Sequence, residues 1–380
     1  MSSRQNGSES DPGLILVPAD PYEEWLSLAV PEPSPDPRFE VRRAEDHEYE
    51  LVYDCVDAAF GKKRPRAVYD WLYRDNPYGR AQCWITIEQS SGKILKTGAN
   101  YPWPIWKGDE PVVGTLSGDS ATLPEWQRKG LSHVRRPVKR SHPWQGKRCG
   151  FAGPNENSRI VSERDGQGDK LLGSMLGGVI PLGLGTSDSP SGALRALADR
   201  SIMAAVRGWQ KLALPAGRSE FRVEVLPRFT PEFDAITLEH MRFSGYWCPH
   251  SWEFLNWRYL DHPGEAYTAL VLLNGETPCG YAVIRHTNQR AMLTEFAVSE
   301  HDPAHGACLI SATADLARES GSAALAFYST SSWRHWSLFR RAGMVPVPTN
   351  NHLEANYDLD AEFSRDARNW QLTPGDRDYH

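Results

Sequence analysis

No two of the six cysteines (Cys55, Cys83, Cys149, Cys248, Cys279, Cys308) are spaced as C-x-x-C. That argues against a zinc ribbon or a disulfide framework and fits a reducing compartment. Long apolar runs are missing too. The longest, Leu171 to Leu184, is broken by Gly173, Gly177, Gly178 and Pro181, and is too short and glycine-rich to span a bilayer. The N-terminus lacks a basic segment followed by an apolar core, so no signal peptide is expected and the cytoplasm is the expected location. Nor is there an excess of positive charge. The 42 Lys and Arg are outnumbered by 48 Asp and Glu, which leaves no overall bias toward nucleic acid or an anionic membrane.

What is present is ordinary globular usage, with 40% hydrophobic and 24% charged residues. At 380 residues the chain suggests two or three domains, and 14 Trp suggest well-filled cores. Residues 1–37 read as a flexible, Pro-rich leader carrying seven prolines. From Arg38 the pattern gives a strand, then a helix through Tyr49, Val52, Tyr53, Val56 and Phe60 that stops at Gly61, then a second helix after Pro65. Two antiparallel strands joined at Ser90-Ser91-Gly92 follow. Ser187 to Gly192 reads as a linker ahead of a helix from Ala193 to Leu214.

The same order of elements then restarts at Phe221. Trp71, Tyr73, Asp75 and Pro77 recur 186 residues later as Trp257, Tyr259, Asp261 and Pro263. A second register, 176 residues apart, places Ala121, Gly130 and Phe151 on Ala297, Gly306 and Phe327. The expected organisation is a leader (1–37), a first domain (38–186), a linker with a helix (187–218), a second domain (219–360) and a tail (361–380). Each domain is α+β (α/β), a mixed sheet flanked by helices.

One stretch carries chemistry. An apolar, β-rich run from Val112 ends at Leu123 and Pro124, and Gln127-Arg128-Lys129-Gly130-Leu131-Ser132 then opens a helix. A glycine-bearing basic loop at a helix N-terminus aims free N–H groups and the positive helix end at one anion, typically phosphate. Eight Lys or Arg and no acid lie between Gln127 and Arg148, either a solvated helix face or a wall for a polyphosphate. Pro137 is expected to kink or end this helix near Arg136.

The loop resembles the Q/R-x-x-G-x-G/A loop of GNAT N-acetyltransferases, with Ser132 at the last small position. Gly153-Pro154-Asn155-Glu156-Asn157-Ser158 after a strand, Phe339 to Met344, and the W-x-Y-x-D-N-P stretch at Trp71 resemble further elements of tandem GNAT proteins. The resemblance covers about residues 38–360 and implies two tandem GNAT-like domains, each with a mixed, mostly antiparallel sheet splayed between its fourth and fifth strands. It implies an acyl-CoA-dependent N-acyltransferase, most simply one using acetyl-CoA, with no metal. The donor would be held by Leu123, Gln127, Arg128, Lys129, Gly130, Leu131 and Ser132, with Asn155 touching its pantetheine arm. The second copy has Pro303-Ala304-His305-Gly306 at the loop, without the basic residues, and is expected not to bind donor.

Acyl transfer to an amine needs a base. Asp119, on the fourth strand, is the candidate, against the reading that it pairs with a nearby Arg; Glu295 is its second-copy equivalent. No Tyr follows Asn155 where such proteins often carry an acid, which leaves water or Ser158 to protonate the thiolate. His133 and His142 read as surface or core residues, Cys149 as a small core residue, and Tyr101, Trp103 and Trp106 as core or hairpin packing rather than an acceptor pocket. The expected partner is a small-molecule amine or amino sugar, with no nucleic acid and no membrane, and the protein is expected to be a monomer or homodimer. A protein that keeps the donor pocket only for sensing or folding is the alternative.

Overall fold

The computed structural model describes residues 33–141, 149–163, 171–183, 192–215, 220–287, 290–299, 303–357 and 361–377. The first half contains β1 (Phe39–Arg43), α1 (Tyr49–Phe60), α2 (Arg66–Tyr73), β2 (Gln82–Glu88), β3 (Lys93–Pro102), β4 (Ile105–Lys107), β5 (Glu110–Val112) and β6 (Gly114–Thr122). It continues with α3 (Leu131–Ser141), β7 (Cys149–Ala152), α4 (Glu156–Ser162), β8 (Leu171–Ser174) and β9 (Leu176–Pro181). After α5 (Gly192–Ala213) come β10 (Phe221–Leu226), α6 (Phe233–Met241), β11 (Tyr246–Trp247) and α7 (Trp252–Leu255), which runs into a π-helical turn, Asn256–Leu260. Then follow β12 (Tyr267–Asn274), β13 (Thr277–His286), β14 (Arg290–Val298), α8 (Pro303–Glu319), β15 (Ala324–Ser329), α9 (Trp336–Arg341), β16 (Val345–Val347), β17 (His352–Tyr357), α10 (Ala361–Ser364) and β18 (Trp370–Gln371).

These strands form two mixed, mostly antiparallel seven-stranded sheets, in the orders β1-β2-β3-β6-β7-β17-β8 and β10-β12-β13-β14-β15-β9-β16. Each half lends a strand to the other sheet. β17, from late in the chain, lies antiparallel between β7 and β8, and β9, from the first half, lies antiparallel between β15 and β16. The glycines that broke the apolar tract serve this exchange: a Cβ on Gly178 would stand 2.3 Å from the Met344 sulfur. A four-stranded sheet, β18-β11-β4-β5, ties the C-terminal segment to the first half.

The 186-residue repeat is a contact as well as an echo. Trp71 stacks on Trp257 with centroids 4.8 Å apart, and each indole N–H donates to the other residue's carbonyl, at 2.8 and 3.2 Å. Equivalent residues meeting reciprocally mark a local two-fold axis between the halves, as in an isologous dimer interface.

Gly61 ends α1 with φ 63°, as expected of a left-handed cap. Of the two outcomes expected at Pro137, an early end does not occur, because α3 runs through it to Ser141. Val138 beyond it is fully buried against Val41 and Trp84, and this packing keeps the second half of the helix docked. The leader to residue 32, residues 187–191 of the linker, His142, Lys147 and Arg148 lie outside the described residues.

Candidate functional site

β6 pairs in parallel with β7 only from Gly114 to Ser117. Beyond that β6 continues to Thr122 while β7 stops at Ala152, so the two strands open a split. On its other edge, β6 places Asp119 and Ser120 opposite the single residue Gly98 of β3, a β-bulge with Asp119 at φ 44°.

The chain leaves the open end of β6 through Leu123, which is buried and donates its N–H to Leu95 O at 2.9 Å. A 3-10 turn, Pro124–Trp126, leads to Gln127, whose side-chain amide donates to Thr122 O at 3.3 Å. Arg128 takes φ 64° and Gly130 φ 80°, and nothing lies within 4 Å of a Cβ built on Gly130. Among the described residues, the backbone N–H groups of Arg128 to Ser132 donate to no acceptor. Gln127 to Gly130 are exposed, with Lys129 Nζ 4.8 Å from the Trp126 ring centroid. Arg128 to Ser132 therefore form one ledge of uncommitted N–H donors at the head of α3, while the N–H groups of Leu123 and Gln127 are already given to Leu95 and Pro124. Asn155 is elsewhere, capping α4 by accepting the Ser158 N–H at 2.9 Å.

Two more cations lie beside this ledge. Lys96 on β3 is buried, and its ammonium donates to Thr122 Oγ1 at 2.9 Å. Burial, then the charges of Arg135 and Arg136, push its pKa down to about 7. Arg135 of α3 lies over Gly98, where an added Cβ would stand 2.7 Å from Nη1.

Among the described residues the second half shows no such ledge. β14 pairs with β15 only from Arg290 to Met292, so the split recurs. However, α8 begins at Pro303, its residues Ala304 to Ala307 are buried, and a Cβ on Gly306 would stand 2.6 Å from Leu338.

Asp119 meets the paired alternative. Its side chain is fully buried, and Arg64 clamps it with Nη1 to Oδ2 at 2.9 Å and Nη2 to Oδ1 at 3.0 Å. The hydroxyls of Tyr73 and Tyr101 both donate to Oδ2, at 2.8 and 2.9 Å. At the equivalent position, Glu295 accepts from Tyr259 at 2.5 Å, so the repeated tyrosine serves the fourth-strand carboxylate in both halves. Here a histidine replaces the arginine. His250 lies 3.0 Å from Glu295 and 2.8 Å from Asp376, with His250 and Asp376 fully buried. Burial alone would lower the pKa of His250, but the two carboxylates raise it to about 10. Trp103 donates to the same Asp376 at 3.3 Å.

Arg64, His250 and Asp376 did not emerge from the sequence. Tyr73 could have, since its recurrence as Tyr259 carries the shared role. Trp103 is packed in the core against Phe254 and Trp257, half-buried Trp106 packs against Trp247 on the β4–β5 hairpin, and Cys149 is buried in the core. His133 is exposed. Among the described residues no group of three or more His, Cys, Asp or Glu could hold a metal ion. No helix among them is long and apolar enough to cross a membrane.

A mixed sheet splayed between its fourth and fifth strands is the fold of GNAT N-acetyltransferases, and this chain carries that sheet twice, with the exposed loop and helix start at the first split. Among solved structures it is similar to a probable N-acyltransferase of Enterococcus faecalis at TM-score 0.57 and 11% identity, covering 83% of this chain and 71% of that one. It is also similar to a GCN5-related N-acetyltransferase of Anabaena variabilis (TM-score 0.53, 11% identity, 84% and 71% covered). A third is Eis1 of Mycobacterium abscessus (TM-score 0.52, 13% identity, 86% and 76% covered). No family model and no curated protein matches the sequence.

Proposed function

We propose that the protein is an acyl-CoA-dependent N-acyltransferase, transferring acetyl from acetyl-CoA to a small-molecule amine or amino sugar in a ternary complex. The observation that carries this reading is the ledge at the head of α3, where the N–H groups of Arg128 to Ser132 have no acceptor among the described residues and Arg128 and Lys129 are exposed. Such an array matches a pyrophosphate. The open edge of β6 offers backbone groups to the amides of a pantetheine arm, and Asn155 is a second contact for it. Lys96 and Arg135 add positive potential beside the ledge.

In the transfer, a neutral amine attacks the thioester carbonyl, a C–N bond forms, the C–S bond breaks, and the thiol leaves with a proton. Asp119 is poorly placed to take the amine's proton. Both its oxygens are engaged, and deprotonating the amine would cost it the Arg64 pair. We assign it to holding the β6 bulge at the split. The second domain (219–360), with its buried α8 start, covers the acceptor cleft or completes the first domain (38–186). The protein works in the cytoplasm as a monomer or homodimer.

Asp119's engagement also favours a second reading, a protein that binds acyl-CoA without turning it over. Assaying thiol release from acetyl-CoA with a panel of amines and amino sugars separates the two. Amine-dependent release supports transfer, and tight binding with no release for any acceptor supports sensing.

A further inference from the structure

The second half holds a cavity of about 170 Å³ that the acyl-transfer reading does not use. It lies at the split between β14 and β15, lined by Thr294 and Tyr328 from those strands, Arg285 from β13, Tyr267 from β12, and Arg258 and Tyr259 from the π-helical turn. Gly375 of the C-terminal segment closes one side.

Arg258 is the informative residue. It is 2% exposed. Its Nε donates to Gly375 O at 3.1 Å and its Nη2 to Arg377 O at 2.5 Å, so the guanidinium is held rigidly by the chain it supports. Its Nη1 is buried and has no hydrogen-bond partner among the described residues. A buried charged donor left unmade costs free energy that a ligand oxygen would recover. Burying an arginine that faces no carboxylate among the described residues is costly unless an anion completes it.

His262 adds a second donor close by. Both residues lie against the Trp71 ring, the imidazole with its centroid 4.3 Å away and the guanidinium carbon at 5.4 Å. His262 Nδ1 accepts from the N–H groups of Gly264 and Glu265, both at 3.0 Å, which puts the proton on Nε2. That Nε2 is also buried without a partner among the described residues. Burial, with Arg258 and Arg285 nearby, lowers the imidazole's pKa to about 4, so it donates as a neutral group. Among the described residues, Glu295 is committed to Tyr259 and His250, and Glu265 lies 3.9 Å from Arg285.

We infer that this cavity is a binding site for a small oxyanion, a carboxylate or phosphate on a planar or apolar body, received by Arg258 and stacked among Tyr259, Tyr267 and Tyr328. A cavity of roughly 150 Å³ holds a benzene ring, so benzoate and phenyl phosphate suit the space. The site is separate from the donor ledge and does not depend on the acyl-transfer reading.

The test is calorimetric titration of the full chain, at fixed ionic strength, with benzoate, phenyl phosphate, inorganic phosphate and the neutral isostere benzamide. Saturable binding of benzoate or phenyl phosphate, with benzamide weaker by about tenfold or more, is expected. The tighter of the two anions names the headgroup. Arg258→Lys should weaken binding about tenfold or more, because a lysine cannot keep both carbonyls and reach the ligand. If that variant does not fold, Tyr328→Trp, which fills the cavity, should abolish binding with the fold retained. Lys129→Glu at the ledge should leave it unchanged. Equal binding of benzamide, binding that survives Tyr328→Trp, loss with Lys129→Glu, or no saturable binding of any anion would each overturn the inference.

Discussion

Replacing Asp119 by Asn separates a structural from a catalytic role at the centre of the first domain. The substitution keeps the size of the side chain and an acceptor for one tyrosine hydroxyl, but removes the charge. Arg64, with its side chain 13% exposed, would then face a neutral amide inside a wall of tyrosines. Breaking a buried pair by removing one partner costs about 3–5 kcal/mol, because the remaining charge stays buried and uncompensated. Over a chain of this size that loss lowers the unfolding midpoint by roughly 5 °C. The assay is thermal unfolding of wild type, Asp119→Asn, Arg64→Met and the double variant. The double variant should lose clearly less than the sum of the singles, since each single strands the other's charge. The reasoning fails if Asp119→Asn unfolds at the wild-type temperature yet loses amine-dependent turnover. That pattern would return Asp119 to the role of base.

Two further outcomes follow from the buried ionisable groups. His250 has its folded pKa raised to about 10 above its ordinary 6.5, so its stabilising contribution is complete below pH 6.5 and is lost as pH rises through 10. Denaturant titrations from pH 7 to 10 should show falling stability in wild type and a flatter profile in His250→Gln; equal slopes would remove His250 from the account. Lys96 is the opposite case. Its folded pKa near 7 lies below the ordinary 10.5, so stability rises with pH between those values and the penalty is complete below pH 7. Lys96→Met should stabilise the fold at pH 7 by about 1 kcal/mol or more while weakening acyl-CoA binding, and a destabilised variant with unchanged affinity would contradict both halves of that statement.

Much of the fold was legible because its signals are local. The 3.6-residue spacing of Tyr49, Val52, Tyr53 and Val56, the glycine stop at Gly61 and the turn at Gly92 each act over a few residues. The repeat was legible as residue identity, and the structure supplies its cause: the two tryptophans stack on each other and the two tyrosines serve equivalent carboxylates. The exchange of β9 and β17 was not legible. Strand pairing between such distant parts of the chain leaves no local periodicity, and Gly177 and Gly178 of β9 read as interruptions until Thr349 and Met344 are seen against them. The ledge was legible as a glycine-bearing basic loop, but the partners of Asp119 were not. Arg64 lies 55 residues away and Tyr73 lies 46 away, on elements whose packing no spacing rule predicts. Pro137 does not end α3, because its helix-breaking tendency is local, whereas the burial of Val138 that holds α3 together is tertiary.

The central claim is that one ledge, at Gly130, holds the donor and that its counterpart at Gly306 does not. Isothermal titration of acetyl-CoA into wild type, Gly130→Val and Gly306→Ala tests it directly. A β-branched residue at φ 80° strains the ledge and crowds the anion, whereas the Cβ at Gly306 meets only the movable end of Leu338. The account predicts one site per chain, lost in Gly130→Val and kept in Gly306→Ala. Two sites per chain, or equal loss in both variants, would contradict it.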